Sequence, residues 1–168
     1  MPNWCSNYIV FAGTKENIEA LNNAIQTAIE LEDKEKEAQK IHSSDIVDGY
    51  FYNIYVDDVL TYDDNYELVM QYETRWSPNI KDVSILCKEF NVTADHDYSE
   101  LGNLVEGSTQ YFEDGTYVDN PVHEEFLKSI DYCYGDDDCY MFLPNGNTYN
   151  TLCELIDEEY QNWKEKNT

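Results

Sequence analysis

Basic residues are scarce in this chain. Its 168 residues hold nine Lys and a single Arg, Arg75, against 35 Asp and Glu, for a formal net charge of −25. From Phe90 to Leu127 there is no Lys or Arg at all, yet nine carboxylates are spread along the same 38 residues. Nucleic-acid phosphates and anionic membrane surfaces repel such a chain, which excludes direct binding to either as its function. Cationic partners are favoured instead: metal ions, basic peptides, or the basic grooves of proteins that bind nucleic acid. The charge is uneven, with net −5 over residues 1–56 and net −20 over residues 57–168.

Other absences narrow the class. No run approaches the roughly 18 apolar residues of a membrane-spanning helix. The opening MPNWCSNYIVFAG lacks the basic start and long apolar stretch of a signal peptide, so a cytoplasmic location is expected. The five Cys are odd in number and form no CxxC pair, which argues for reduced, core-filling thiols over disulfides or a zinc cluster. The acidic stretches DDNYELV and DDDCYMF lack the Gly at loop position six and the closing Glu of an EF-hand. No GxGxxG, P-loop or GxSxG occurs, and no cofactor is expected.

What is present is enough to fold. Aromatic residues make up 14 % of the chain, with 15 Tyr, which rules against a disordered acidic tail. The segment NYIVFAG (7–13) reads as a strand, and Thr14 then caps a helix over about 15–31 whose apolar face is Ile18, Leu21, Ile25, Ala28 and Ile29. Residues 49–60 and 66–76 read as two strands joined at the turn-rich TYDDN. Ser77 as cap and Pro78 at the first position predict a second helix, and residues 91–98 predict the next strand. The order β-α-β-β-α-β is the ferredoxin-like arrangement, an α+β sheet with helices on one face. A hairpin over 103–120 turns at Glu113-Asp114-Gly115. Beyond it come a helix over 120–130 capped by Asn120, a short strand at 139–144 and a final helix carrying Leu152, Leu155, Ile156, Tyr160 and Trp163. The expected organisation is a core with an acidic hairpin over 1–120 and a helical extension over 121–168 packing on the same domain.

Two segments, MPNWCSN at the start and YETRWSPN at 72–79, together resemble the YubB ferredoxin-like family of plasmid- and phage-borne proteins. The matching residues are Met1, Pro2, Asn3, Trp4, Cys5, Asn7, Gly13, Thr74, Trp76, Ser77 and Pro78. DYSELGNLVEG also resembles the family's acidic, Gly-containing strand. The resemblance covers roughly residues 1–120. It implies a ferredoxin-like fold and a mobile-element origin, and it brings no catalytic residues. Arg75 departs from the family pattern, which often has a small or apolar residue there.

Catalytic readings are weak on chemical grounds. Cys5 between Trp4 and Trp76 needs a base or a positive neighbourhood to become a nucleophile, and the chain supplies the opposite field. On a strand, His96 points away from Asp95 and Asp97, so DHD does not assemble a metal or acid–base site. The acids themselves suggest more. Asp95 and Asp97, two apart on a strand, are about 6.6 Å apart on one face. Phosphates along one DNA strand, with about 3.4 Å of axial rise per step, have a similar spacing.

The expected partner surface comprises Asp95, Asp97, Glu100, Glu106, Glu113, Asp114, Asp119, Asp136, Asp137 and Asp138, with Tyr98, Tyr111 and Tyr117 as stiff contact area. With the resemblance, this predicts a non-enzymatic DNA mimic that inhibits a basic nucleic-acid-binding host protein or nucleoprotein complex, such as a restriction enzyme or CRISPR effector. Two alternatives stand beside it. One is an accessory protein-binding module of plasmid or phage maintenance that uses a Tyr-rich face. The other is a metal-dependent enzyme built on carboxylates.

Overall fold

The alternation in WCSNYIVF creates a two-faced strand. In β1 (Trp4–Gly13), Cys5, Asn7, Ile9 and Phe11 are buried while Trp4, Ser6 and Tyr8 are exposed. The computed structural model describes residues 3–35, 40–43, 50–62, 65–100, 102, 104–134 and 140–167. β1 starts earlier than predicted because Trp4, Cys5 and Ser6 pair with Arg75, Thr74 and Glu73.

Next comes α1 (Lys15–Glu35), opened by Thr14, whose hydroxyl accepts the Asn17 N–H at 3.3 Å. Its buried face is Ile18, Leu21, Ile25 and Ala28, as the spacing predicts. β2 (Tyr52–Tyr62) and β3 (Asn65–Arg75) form an antiparallel hairpin, followed by α2 (Ile80–Phe90) and β4 (Thr93–Glu100). These strands lie in the order β2-β3-β1-β4 with antiparallel neighbours, the ferredoxin-like arrangement read from the sequence. β5 (Val105–Tyr111) and β6 (Tyr117–Pro121) then extend the sheet beyond β4 to six strands. Between them Gly115, at φ +84°, closes the turn with its N–H on the Phe112 carbonyl.

One sheet face packs against both helices. Its core unites Leu21 and Ile25 of α1, Val83 and Leu86 of α2, and Ile9, Phe11, Leu68 and Met70 of the strands. Each such side chain, fully buried, is worth about 1.5–3 kcal/mol. Between α1 and β2, His42 is buried against α2, its Nε2 2.6 Å from Asp82 Oδ1.

Two helix starts differ from expectation. α2 begins at Ile80 with Asn79 as cap, and no side-chain cap bond forms. The Asn79 carboxamide oxygen is already taken by the Tyr72 hydroxyl at 2.7 Å. Ser77 does not cap; its carbonyl accepts the Thr74 hydroxyl at 2.8 Å. Asn120 and Pro121 do not open a helix either, because they pair with Ser108 and Gly107 at the end of β6. Pro is tolerated there because β6 is an edge strand.

The chain divides into two compact units, residues 1–121 and 122–168. Between α3 (Glu124–Ser129) and α4 (Leu152–Asn167) the second carries a small antiparallel sheet of β7 (Tyr132–Tyr134), β8 (Tyr140–Phe142) and β9 (Asn147–Tyr149). β8 is the short strand predicted at 139–144, but with two further strands beside it. The missed signal is Pro-Asn-Gly at 144–146: Gly146, at φ +76°, donates its N–H to the Phe142 carbonyl and reverses the chain. His123 caps α3, its Nδ1 accepting the Glu125 N–H. Phe126, Leu127, Leu155 and Ile156 form the buried centre of this unit, with the Tyr160 ring 5.2 Å from Phe126. Glu159 is buried among donors from Asn145, Asn147, Tyr149 and Asn162. Burial works to raise its pKa, but those hydrogen bonds outweigh it and hold the carboxyl below its usual value.

In the first unit a polar layer lies inside the sheet. His96 is 1 % exposed; its Nε2 is 3.0 Å from Asn7 Oδ1 and its Nδ1 3.2 Å from the Tyr111 hydroxyl. Burial pushes its pKa down from 6.5 to about 4. Folding therefore holds His96 neutral while the unfolded chain protonates it. Stability from this residue is complete above pH 6.5 and is lost as pH falls toward 4, by about 3 kcal/mol in all. His96→Gln should flatten that part of the urea-midpoint profile between pH 7 and pH 4 relative to the parent; an unchanged slope would contradict the assignment. Gly107 makes a second test. A Cβ there would lie 2.5 Å from the Tyr98 hydroxyl and 2.8 Å from the Pro121 Cα. Gly107→Ala should cost about 1–3 kcal/mol by overpacking, read as a lower denaturation midpoint.

Candidate functional site

Directly opposed residues of antiparallel strands share a sheet face, so the register shows which side chains stand together on the face away from the helices. One row crosses all six strands: Tyr55, Gln71, Tyr8, Asp97, Ser108 and Asn120. Five interstrand steps of about 4.8 Å give it a length of about 24 Å. The neighbouring row contains Val69, Val10, Asp95, Gln110 and Val118. On the other side lies a row of Glu73, Ser6, Ser99 and Glu106.

Asp95 and Asp97 are exposed at the middle of this open face. The Gln110 amide donates to Asp95 at 3.3 Å. At about 6.6 Å in water the two carboxylates repel by only about 0.6 kcal/mol, so β4 holds the pair without distortion. Tyr8 and Tyr55, 41 % and 59 % exposed, place aromatic rings in the row of Asp97. Trp4, further along β1, packs edge-on to Tyr52 with ring centroids 5.0 Å apart.

The remaining predicted residues do not join one surface. Glu106 is half-buried but stands on the open face. Glu113 and Asp114 are exposed at the β5–β6 turn. Both the hydroxyl and the N–H of Thr116 donate to Asp114, and these bonds hold its carboxyl below the usual range. Tyr117 is exposed opposite Tyr111, on the helix side of the sheet. Asp119 is on that side too, where its Oδ1 accepts the hydroxyls of Thr109 at 2.8 Å and Tyr98 at 2.9 Å. Asp136, Asp137 and Asp138 lie outside the described residues.

Three residues expected at the surface are buried. Tyr98, Tyr111 and Glu100 are 4 %, 0 % and 9 % exposed. Their parity on the strands is the reason: Tyr98 and Glu100 share the face of Ala94 and His96, and Tyr111 opposes Ala94. Burial raises both tyrosine pKa values above the ordinary range. The Glu100 carboxylate sits where Gly102 has no side chain; a Cβ there would be 2.7 Å from its Oε1. In exchange, the open face gains Tyr8, Tyr55 and Gln71. Reading WCSNYIVF by its two-residue alternation would have assigned Tyr8 to the open face.

Cys5, Cys87 and His96 are all buried. Cys5 is buried opposite Thr74, and burial pushes its thiol up to about 11. Cys87 is driven by burial to about 12. Trp76 donates its N–H to the Asn3 carbonyl, so the two motif segments close on each other at one end of the sheet. His96 faces away from Asp95 and Asp97, as strand alternation requires. Among the described residues no group of three His, Cys, Asp or Glu side chains is arranged to hold a metal ion. No helix of the described residues is long and apolar enough to cross a membrane.

No curated protein and no solved structure matches the chain. A family model does: the one described as the ferredoxin-like domain in Api92-like protein matches residues 51–137, a span that begins just before β2, contains β3 to β6 and carries both Asp95 and Asp97. That span is just over half of the 168 residues and agrees with the strand order found here, so the chain belongs to the family of ferredoxin-like domains of Api92-like proteins.

Proposed function

We propose that this protein is a non-enzymatic inhibitor from a phage or plasmid. Its open sheet face occupies the nucleic-acid groove of a basic host protein, a defence nuclease of the restriction or CRISPR kind. The observation that carries the reading is the placement of Asp95 and Asp97 on a rigid central strand, side by side on the open face, with Tyr8 in register beside Asp97. No Lys or Arg occurs between Lys88 and Lys128, so β4, β5 and β6 carry neither.

Several physical points support it. A net charge of −25 far exceeds the magnitude of about 2–8 that solubility asks of a small domain, and its self-repulsion opposes folding. Association with a cationic groove relieves that repulsion. Exposed tyrosines on the same face add contact area at low entropic cost. The mobile-element origin rests on the finer resemblance to the YubB proteins. In support of it, the residues of that resemblance are joined: Asn3 to Trp76 through the backbone, and Asn7 to Thr74 at 3.0 Å.

A second reading has its own observation. Trp4, Tyr8 and Tyr55 are all exposed on the open face, which suits an accessory module that binds its partner through aromatic area. Salt separates the two, because ion pairing is screened by salt and aromatic packing is not.

The test is capture from a bacterial host lysate at low and high ionic strength, with mass spectrometry and with DNA as competitor. The inhibitor reading expects one nuclease or nucleoprotein complex, released by salt and displaced by DNA. Asp95→Asn with Asp97→Asn should weaken its capture by at least about tenfold, the effect of losing roughly 1.4 kcal/mol, while the denaturation midpoint stays the same or rises. Undiminished capture by the double variant, or failure of DNA to compete, would overturn the mimicry. Salt-resistant capture lost in Tyr8→Ala would favour the accessory module.

A further inference from the structure

Arg75 is the one Arg in a chain with 35 acids, yet it takes part in none of the ion pairs among the described residues. Its guanidinium instead lies 5.0 Å from the Tyr52 ring centroid and 6.0 Å from that of Trp4. Glu73, two residues back on the same strand face, accepts the Asn53 amide. Arg75 forms the wall of a cavity of about 300 Å³ that is also lined by Tyr50, Tyr52, Thr74, Ser77 and Asn79.

Three further features lie at this cavity or on its tyrosine wall. The Asn79 Nδ2 is buried and has no hydrogen-bond partner among the described residues, while its oxygen accepts the Tyr72 hydroxyl. α2 starts directly after Asn79 with no side-chain cap bond, and Asp82 in its first turn offsets part of its dipole. Lys40 lies over the other tyrosine of the wall, its Nζ 5.6 Å from the Tyr50 ring centroid. A guanidinium on an aromatic bed and an orphaned amide donor both favour an oxyanion. The tyrosine rings favour a flat partner. The volume stands at the small end of ligand pockets and suits one ring system with one anionic group.

We propose that this cavity binds a small planar anion, an aromatic or heteroaromatic ring carrying a phosphate or a carboxylate. Arg75 and Asn79 engage the oxyanion, and Tyr50 and Tyr52 flank the ring. The site is independent of the protein-binding reading of the open face, so either stands if the other fails.

The experiment is nitrogen-edited NMR of the full chain, following the Arg75 Nε–H and Asn79 side-chain amide signals. The probes are adenosine monophosphate and 4-hydroxyphenylacetate. Adenosine and 4-hydroxyphenylacetamide are the neutral controls, and inorganic phosphate is the ringless one. Saturable shifts at both signals with at least one ring-bearing anion are expected. The matching neutral compound and bare phosphate should bind at least about tenfold more weakly, as loss of a charge-assisted hydrogen bond implies. Arg75→Gln should remove the binding, and Asn79→Ala should weaken it. Equal binding of the neutral analogue, shifts that map away from these two residues, or no saturation at millimolar probe would overturn the proposal. The comparison of probes on the unaltered chain decides the matter even if Arg75→Gln disturbs the Trp4–Tyr52 packing.

Discussion

The structure depends on the two-sided pleat of β4. This strand lies between β1 and β5, and alternate residues of TADHDYSE must face opposite ways. Ala94, His96, Tyr98 and Glu100 face inward; Asp95 and Asp97 face outward. A slip of one residue would send two carboxylates into the core and an imidazole to the surface, a change no other contact could repair. The register is secured from both sides. Ile9 opposes His96 on β1, Thr109 opposes it on β5, and the Tyr98 hydroxyl reaches Asp119 on β6. The same constraint that fills the inner layer with hydrogen-bonded rings therefore lines up the acids outside.

That pairing explains how a chain of such charge stays folded. The acids are not all alike. Asp119 binds two inner hydroxyls, Asp82 binds His42, and Glu159 gathers four donors in the second unit. These carboxylates do structural work and are satisfied in place. Asp95 and Asp97 remain exposed to solvent and give the open face its field, while Glu113 and Asp114 are exposed at the β5–β6 turn. Arg75 is the exception in sign. It stands at the far end of β3 on an aromatic bed, away from the middle of the acidic rows.

Much of this was legible in the sequence, and the errors have specific causes. Apolar spacing placed α1 and its buried face, and the element order gave the ferredoxin-like sheet. Strand alternation also placed His96 correctly. The same rule, applied to Tyr98 and Glu100, would have sent both inward; counting acids and tyrosines by composition put them at the surface instead. Tyr111 failed for a different reason, since its burial follows from pairing with Ala94 across a long-range register that composition does not show. At the start of α2, Ser77 is held in a turn by Thr74 and Arg75, and the Tyr72 hydroxyl takes the Asn79 oxygen, contacts that composition does not show. The cavity at Arg75 was invisible for the same reason. It assembles from residues 50 and 52, from residues between 74 and 79, and from the start of a helix that carries no side-chain cap bond.

The claim at the centre of this account is that the open sheet face is the surface that meets the partner. Carboxylate footprinting of the complex with the captured partner tests it most directly, because each Asp and Glu reports its own accessibility. Asp95 and Asp97 should be strongly protected in the complex, while Glu16 and Glu19 at the start of α1 should react as they do in the free protein. Protection centred on α1 or on the second unit, with Asp95 and Asp97 still fully reactive, would contradict it.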